Sequence, residues 1–139
     1  MLKGIPKIVS PELLKILCEM GHGDEIVIAD GNFPSANYGK CVIRADGISG
    51  VDILKAVLAL IPLDTYAEQN FMLMETVKGD VHPCIWTDYF DIAKSDKNLR
   101  VGYLERFAFY ERAKQAYAVI ATGEEAIYAN IIIKKGVIK

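Results

Sequence analysis

This chain is short of the residues that mark the commonest specialised classes. Its 139 residues include three cysteines and two histidines. Cys18, Cys41 and Cys84 form no CxxC pair, and an odd, unpaired set suits a reducing compartment better than secretion. His82-Pro83-Cys84 could supply half of a zinc site, but no second Cys/His pair stands at a useful spacing, so no metal is expected. Neither sign of charge dominates: the formal charge is -2 and the isoelectric point about 5.7, which leaves no basic footprint for nucleic acid. The longest uncharged apolar run, Ala56 to Leu63, is far below the roughly 20 residues that cross a bilayer, and Pro62 interrupts it. Met1 to Lys7 has no apolar signal core. Internal repeats and low-complexity linkers are also missing. The expectation is a cytoplasmic protein without membrane or nucleic-acid partners.

What is present is apolar and regularly patterned. Hydrophobic residues make up 52% of the chain, which predicts a single domain over residues 1–139 with a sizeable core. Ser10-Pro11-Glu12 reads as a helix start, with serine as N-cap and proline at the first helical position. Leu13, Leu14, Leu17 and Met20 then recur at helical spacing, and Gly21 or Gly23 ends the helix. Ile26–Ala29 and Cys41–Ile43 read as strands around a turn-rich loop from Asp30 to Gly39. A second helix starts at Ser49 with Ile53, Leu54, Val57, Leu58 and Ile61 as its stripe. Strands are expected at Phe71–Val77 and Val101–Leu104, helices at Ile85–Lys94 and Phe109–Ala116. Tyr117–Ala121 and Asn130–Ile133 are the clearest strands, with a turn at Gly123. Such alternation predicts a layered α/β fold.

The local chemistry gathers around Gly21-His22-Gly23 and Asp30, which bracket the apolar run Ile26–Ala29. Asp30 falls at the carboxyl end of that strand, where open α/β sheets bind ligands. Histidine gives and takes protons near neutrality, although a histidine in this position can also merely cap the helix. Asp30 before Gly31-Asn32 has the alternative of bonding its own turn. Asp24 reads as a turn acid and Glu25 as a loop or oligomer contact. Arg106, just after a strand, offers fixed donors to oxygen-rich ligands but could instead pair with Glu105. Tyr128 and Asn130, two apart, share a face if they lie on a strand. Arg112 suits helix-surface pairs. Phe107, Phe109 and Tyr110 could stack on a ligand or fill the core. Cys18 and His22 are four apart, but the flanking glycines unwind that turn and no Asn or Asp completes a thiol-nucleophile set.

Several separate motifs then carry a resemblance that runs from the first helix to the last residues. Gly21-His22-Gly23-Asp24-Glu25, Asp30 with Phe33-Pro34, Arg44-Ala45-Asp46-Gly47, Arg106–Ala113 and Tyr128-Ala129-Asn130 with Lys134-Lys135-Gly136 resemble the fucose mutarotase branch of the ribose pyranase/fucose mutarotase family. The resemblance implies a single α/β/α domain with a central, mostly parallel sheet. It also implies a cofactor-free isomerase that interconverts the anomers of a monosaccharide, L-fucose first, with D-ribose ring isomerisation or non-catalytic sugar binding as alternatives. By the same likeness His22 is the proton donor, while Asp30, Arg106, Tyr128, Ala129 and Asn130 bind the sugar. It further implies a homo-oligomer, a decamer of two pentameric rings with sites between subunits. Three departures stand out: Asn32 where some members carry histidine, Ala129 in place of a common glycine, and a thin match over residues 79–100.

Overall fold

Ser10 caps the first helix as its residue type predicts: its side chain accepts the Leu13 amide at 3.1 Å and α1 runs Pro11–Glu19. Ser49 does the same for α3, Gly50–Leu58, by accepting the Asp52 amide. The computed structural model describes all of Met1–Lys139. Its other elements are β1 (Glu25–Ala29), α2 (Ser35–Tyr38), β2 (Val42–Ala45), β3 (Phe71–Met74), α4 (Ile85–Ala93), β4 (Val101–Leu104), α5 (Arg106–Gln115), β5 (Ala118–Thr122) and β6 (Ile131–Lys134).

The strands form one six-stranded sheet in the order β2-β5-β1-β6-β3-β4. β5 pairs in parallel with β1 and β2, and β3 with β4, whereas β6 is antiparallel to both β1 and β3. All strands but β6 therefore point the same way, so the sheet is mixed but mostly parallel, as expected. Side-chain alternation sorts the core into two halves. Ile26, Ile28, Phe71, Leu73, Ile131 and Ile133 face the cluster that includes α1, α3 and α4. Val27, Ala29, Met72, Met74 and Ile132 face a smaller one with Phe109 and Ala113 of α5. The result is a three-layer α/β/α sandwich.

Several boundaries differ from expectation. β2 begins and ends later than Cys41–Ile43. β3 stops at Met74 rather than Val77: the Glu75 amide makes a last bond to the Leu104 carbonyl of β4, and a long loop then runs to Cys84. α5 starts at Arg106, not Phe109, since the Glu105 carboxylate caps it by accepting the amides of Phe107 and Ala108. The Asp30–Gly39 loop contains the short helix α2. Asn130 precedes β6 instead of opening it.

The direction of the strands fixes where the candidate residues fall. Segments leaving β1, β3 and β4 emerge at the carboxyl end of the sheet, and the segment entering the reversed β6 arrives there too. Asp30, the 75–84 loop, Arg106 and Tyr128–Asn130 therefore meet at one end. His22 precedes β1 and lies at the other.

Candidate functional site

Asp30 is the anchor of the carboxyl end. Only 5% exposed, it sits one residue beyond β1, opposite the segment that enters β6. Its Oδ1 accepts the Asn32 amide at 3.0 Å, the turn bond that its sequence context predicts. Its Oδ2 accepts Asn130 Nδ2 at 2.9 Å and the Ala129 amide at 3.4 Å, while its own amide donates to Asn130 Oδ1 at 2.8 Å. Burial pushes the Asp30 carboxyl above its ordinary range, against the pull of those hydrogen bonds. Asn130 is thus locked onto Asp30 by a reciprocal pair of bonds.

A cleft of about 230 Å³ opens beside this pair, lined by Asp30, Asn130, Arg106, Tyr110, Tyr128 and Asp80 together with apolar Phe33, Met74 and Ile127. Arg106, in the first turn of α5, does not pair with Glu105. Its Nε donates to Tyr110 Oη at 3.1 Å, and its guanidinium lies 5.2 Å from the Phe107 ring centre and 5.4 Å from that of Tyr110. Tyr110 in turn stacks on Tyr38. Of the three aromatics weighed for stacking, Phe109 is core, Phe107 is exposed, and Tyr110 lines the cleft. Tyr128 has φ +56°, the one non-glycine residue in the left-handed region, so strand alternation does not place it beside Asn130. Both reach the cleft through this irregular turn instead. The Ala129 methyl is buried in the core, so this residue faces the site only through its backbone.

A larger recess of about 520 Å³ lies on the other side of Asp30, near Arg44, Asp46 and Thr122. Most of its polar side chains are committed, Thr122 to the Ala29 carbonyl, Ser35 to the Phe33 carbonyl and Arg44 to Asp46, while Asn37 is left over. The smaller cleft holds the denser set of convergent donors and acceptors.

His22 belongs to a second cluster. Its Nε2 is 2.9 Å from Asp64 Oδ1, and its ring is 5.2 Å from that of Tyr66. Asp64 is buried but half of the His22 side chain is exposed, at 46%. The Asp64 carboxylate also accepts the amides of Tyr66 and Ala67. Burial pushes its carboxyl up, but the bonds from His22 and the two amides outweigh this and leave it below the ordinary range. An ionised carboxylate only accepts hydrogen bonds, so Nε2 carries the proton and Nδ1 of a neutral ring keeps its lone pair. Sequence reading missed Asp64, because the partner lies 42 positions away and only the fold joins them.

The two clusters do not meet within one chain. The five residues of β1 separate them by roughly 17 Å at about 3.3 Å per residue, farther than one monosaccharide reaches. The strand that brackets His22 and Asp30 is what keeps them apart. The remaining candidates have structural partners. Asp24 accepts the Gly21 amide as a turn acid, Glu25 takes Arg112 in a forked ion pair, and His82 sits 3.2 Å from Glu75.

Comparison with known proteins adds direct relatives. Residues 3–138 match the model of the RbsD / FucU transport protein family. A fucose mutarotase of Danio rerio is 52% identical, with 99% of this chain and 94% of that protein covered. Among solved structures, the fucose mutarotase of Streptococcus pneumoniae in complex with L-fucose superposes with a TM-score of 0.95 at 50% identity, covering 99% of this chain and all of that one. Bacillus subtilis RbsD complexed with D-ribose gives a TM-score of 0.78 at 25% identity, with both chains fully covered.

Proposed function

Because the chain belongs to the RbsD/FucU transport protein family, we propose that it is a sugar mutarotase that interconverts the α and β anomers of L-fucose. The observation that carries this reading is the full-length match to the mutarotase that holds L-fucose, twice as identical as the match to the ribose-bound relative. The geometry supports it. Asp30, Arg106, Tyr128 and Asn130 converge on one cleft, where they bring both donors and acceptors for sugar hydroxyls. Three apolar side chains in the same wall suit a deoxygenated carbon.

Mutarotation removes a proton from the anomeric hydroxyl while the ring oxygen gains one. The ring opens to the aldehyde, the carbonyl turns, and closure on its other face reverses both transfers. The net proton change is zero, so acid–base groups suffice. His22 is the group assigned to these transfers: Asp64 holds Nε2–H, and Nδ1 is free to take and return the proton. Asp30 and Asn130 fix the sugar, Arg106 donates to its oxygens, and the backbone of Ala129 completes the wall.

Since His22 stands at the far end of β1 from the cleft, the site we assign is composite: the half-exposed His22 of one copy reaches the cleft of another. A decamer of two pentameric rings is the assembly proposed, in a reducing cytoplasm that suits three free cysteines.

Saturation-transfer NMR on the anomeric protons of L-fucose and D-ribose tests the assignment. The expected result is acceleration for L-fucose, lowered about 10²–10⁴-fold in His22→Ala with sugar affinity retained. Transfer between pyranose and furanose signals would move the protein to ring-size isomerisation. Binding without acceleration would make it a sugar-binding module.

A further inference from the structure

Tyr128 pays for its place in the cleft with an unfavourable backbone. A tyrosine at φ +56° is disfavoured by the approach of its Cβ to the following carbonyl oxygen, and such residues persist only where surrounding contacts over-determine them. Asp30 accepts the Ala129 amide, and the remaining contacts come from the loop between β3 and α4 together with α4 itself. Trp86 Nε1 donates to the Tyr128 carbonyl at 2.8 Å, and the buried Tyr89 hydroxyl donates to the Ala129 carbonyl at 3.0 Å. The Tyr128 hydroxyl is gripped as well: it donates to Asp80 Oδ2 at 2.5 Å and accepts the Val77 amide at 3.4 Å. The loop is itself tied down, with His82 bridging Glu75 at 3.2 Å and packing its ring 4.7 Å from that of Trp86.

We infer that Asp80 and Trp86 are positioning residues that clamp Tyr128, by its hydroxyl and its carbonyl, in the left-handed conformation that faces the sugar. The role rests on the mutarotase reading above. Asp80 accepts the phenolic O–H and the Val77 amide takes one lone pair, so the Tyr128 oxygen has one lone pair left to accept from a sugar hydroxyl. Trp86 and Tyr89 hold the two peptide carbonyls that turn the ring off the β6 alternation and into the cleft. Released from either grip, Tyr128 relaxes toward the extended region and carries its phenol away from Asp30 and Arg106.

The test is L-fucose exchange by saturation-transfer NMR, with KM and kcat resolved, on Asp80→Ala, Asp80→Asn, Trp86→Phe, Tyr128→Phe and the Asp80→Ala/Tyr128→Phe double variant. Loss of one grip is expected to raise KM about five- to tenfold with kcat nearly unchanged, because proton transfer belongs to His22. Asp80→Asn keeps an acceptor oxygen and restores most of the affinity. In the Tyr128→Phe background, Asp80→Ala has no further effect, since there is no hydroxyl left to hold. An unchanged KM in Asp80→Ala, or an effect of equal size in the Tyr128→Phe background, would overturn the clamp. Asp80 lies on an exposed loop, so these two outcomes stand even if Trp86→Phe fails to fold. Wild-type protein that accelerates no sugar would overturn the mutarotase reading and this role with it. Normal wild-type exchange with additive variants would overturn this role alone.

Discussion

Asp30 and Asp64 are both buried carboxylates, yet their surroundings shift them in opposite directions, and each leaves its own mark on stability. Burial raises the Asp30 carboxyl, so the folded chain holds that proton more tightly than the unfolded chain. The stability from this group is complete below the ordinary carboxyl value of 3.8 and is lost as pH rises through the raised folded value. Urea unfolding of wild type and Asp30→Asn between about pH 4 and 7 should therefore show wild type losing ground as pH rises. A gap that moved the other way would refute the assignment. Asp64 has the reverse sign: its folded pKa is depressed, so its contribution is present above 3.8 and is lost as pH falls through the lower folded value. Its catalytic consequence is separate. Asp64→Asn can present an amide N–H to Nε2 and favour the wrong tautomer, so exchange should fall about 10–100-fold with sugar affinity intact. Equal exchange in this variant would show that His22 needs no orienting partner.

At the scale of elements, the site depends on how closely β2 and β5 end beside one another. A Cβ at Gly123 would lie 2.1 Å from the Asp46 carbonyl oxygen, a backbone atom that cannot swing aside. Gly123→Ala should cost about 1–3 kcal/mol in urea unfolding, as overpacking does, and disturb the loop behind Asp30. A cost below measurement would mean that this end of the sheet opens freely. The helices with a cap and a stripe were legible: Ser10 and Ser49 announced α1 and α3, whose Leu13, Leu17, Ile53, Leu54 and Val57 are buried as the spacing predicts. α5 was legible only from Phe109 onward, because it buries just Phe109 and Ala113 and opens with a glutamate cap rather than a serine. The left-handed turn at Tyr128 had no signal, since that conformation normally announces itself through glycine or asparagine.

At the scale of the molecule, the separation of His22 from the cleft is what makes the proposed site a composite of more than one copy. Light scattering should give a multiple of the 15.4 kDa chain mass, and a monomer across micromolar concentrations would remove the composite site. A sharper check is complementation. His22→Ala and Arg106→Ala, each inactive alone, should recover on the order of a quarter of wild-type exchange when co-assembled in equal amounts, because some junctions then join one intact half to another. No recovery would overturn the composite site. The sequence by itself determined the layered class, the capped helices, the apolar strands and the residue types that can move a proton or hold a sugar. These are local properties, set by spacing, caps and side-chain chemistry. Only the tertiary structure decided which of those residues meet. Reversal of β6 brings Tyr128 and Asn130 to Asp30 from about a hundred residues away, and the length of β1 carries His22 to the opposite end, beside Asp64. Strand order and direction come from burying both faces of the sheet at once, a condition on the whole chain that no single segment records.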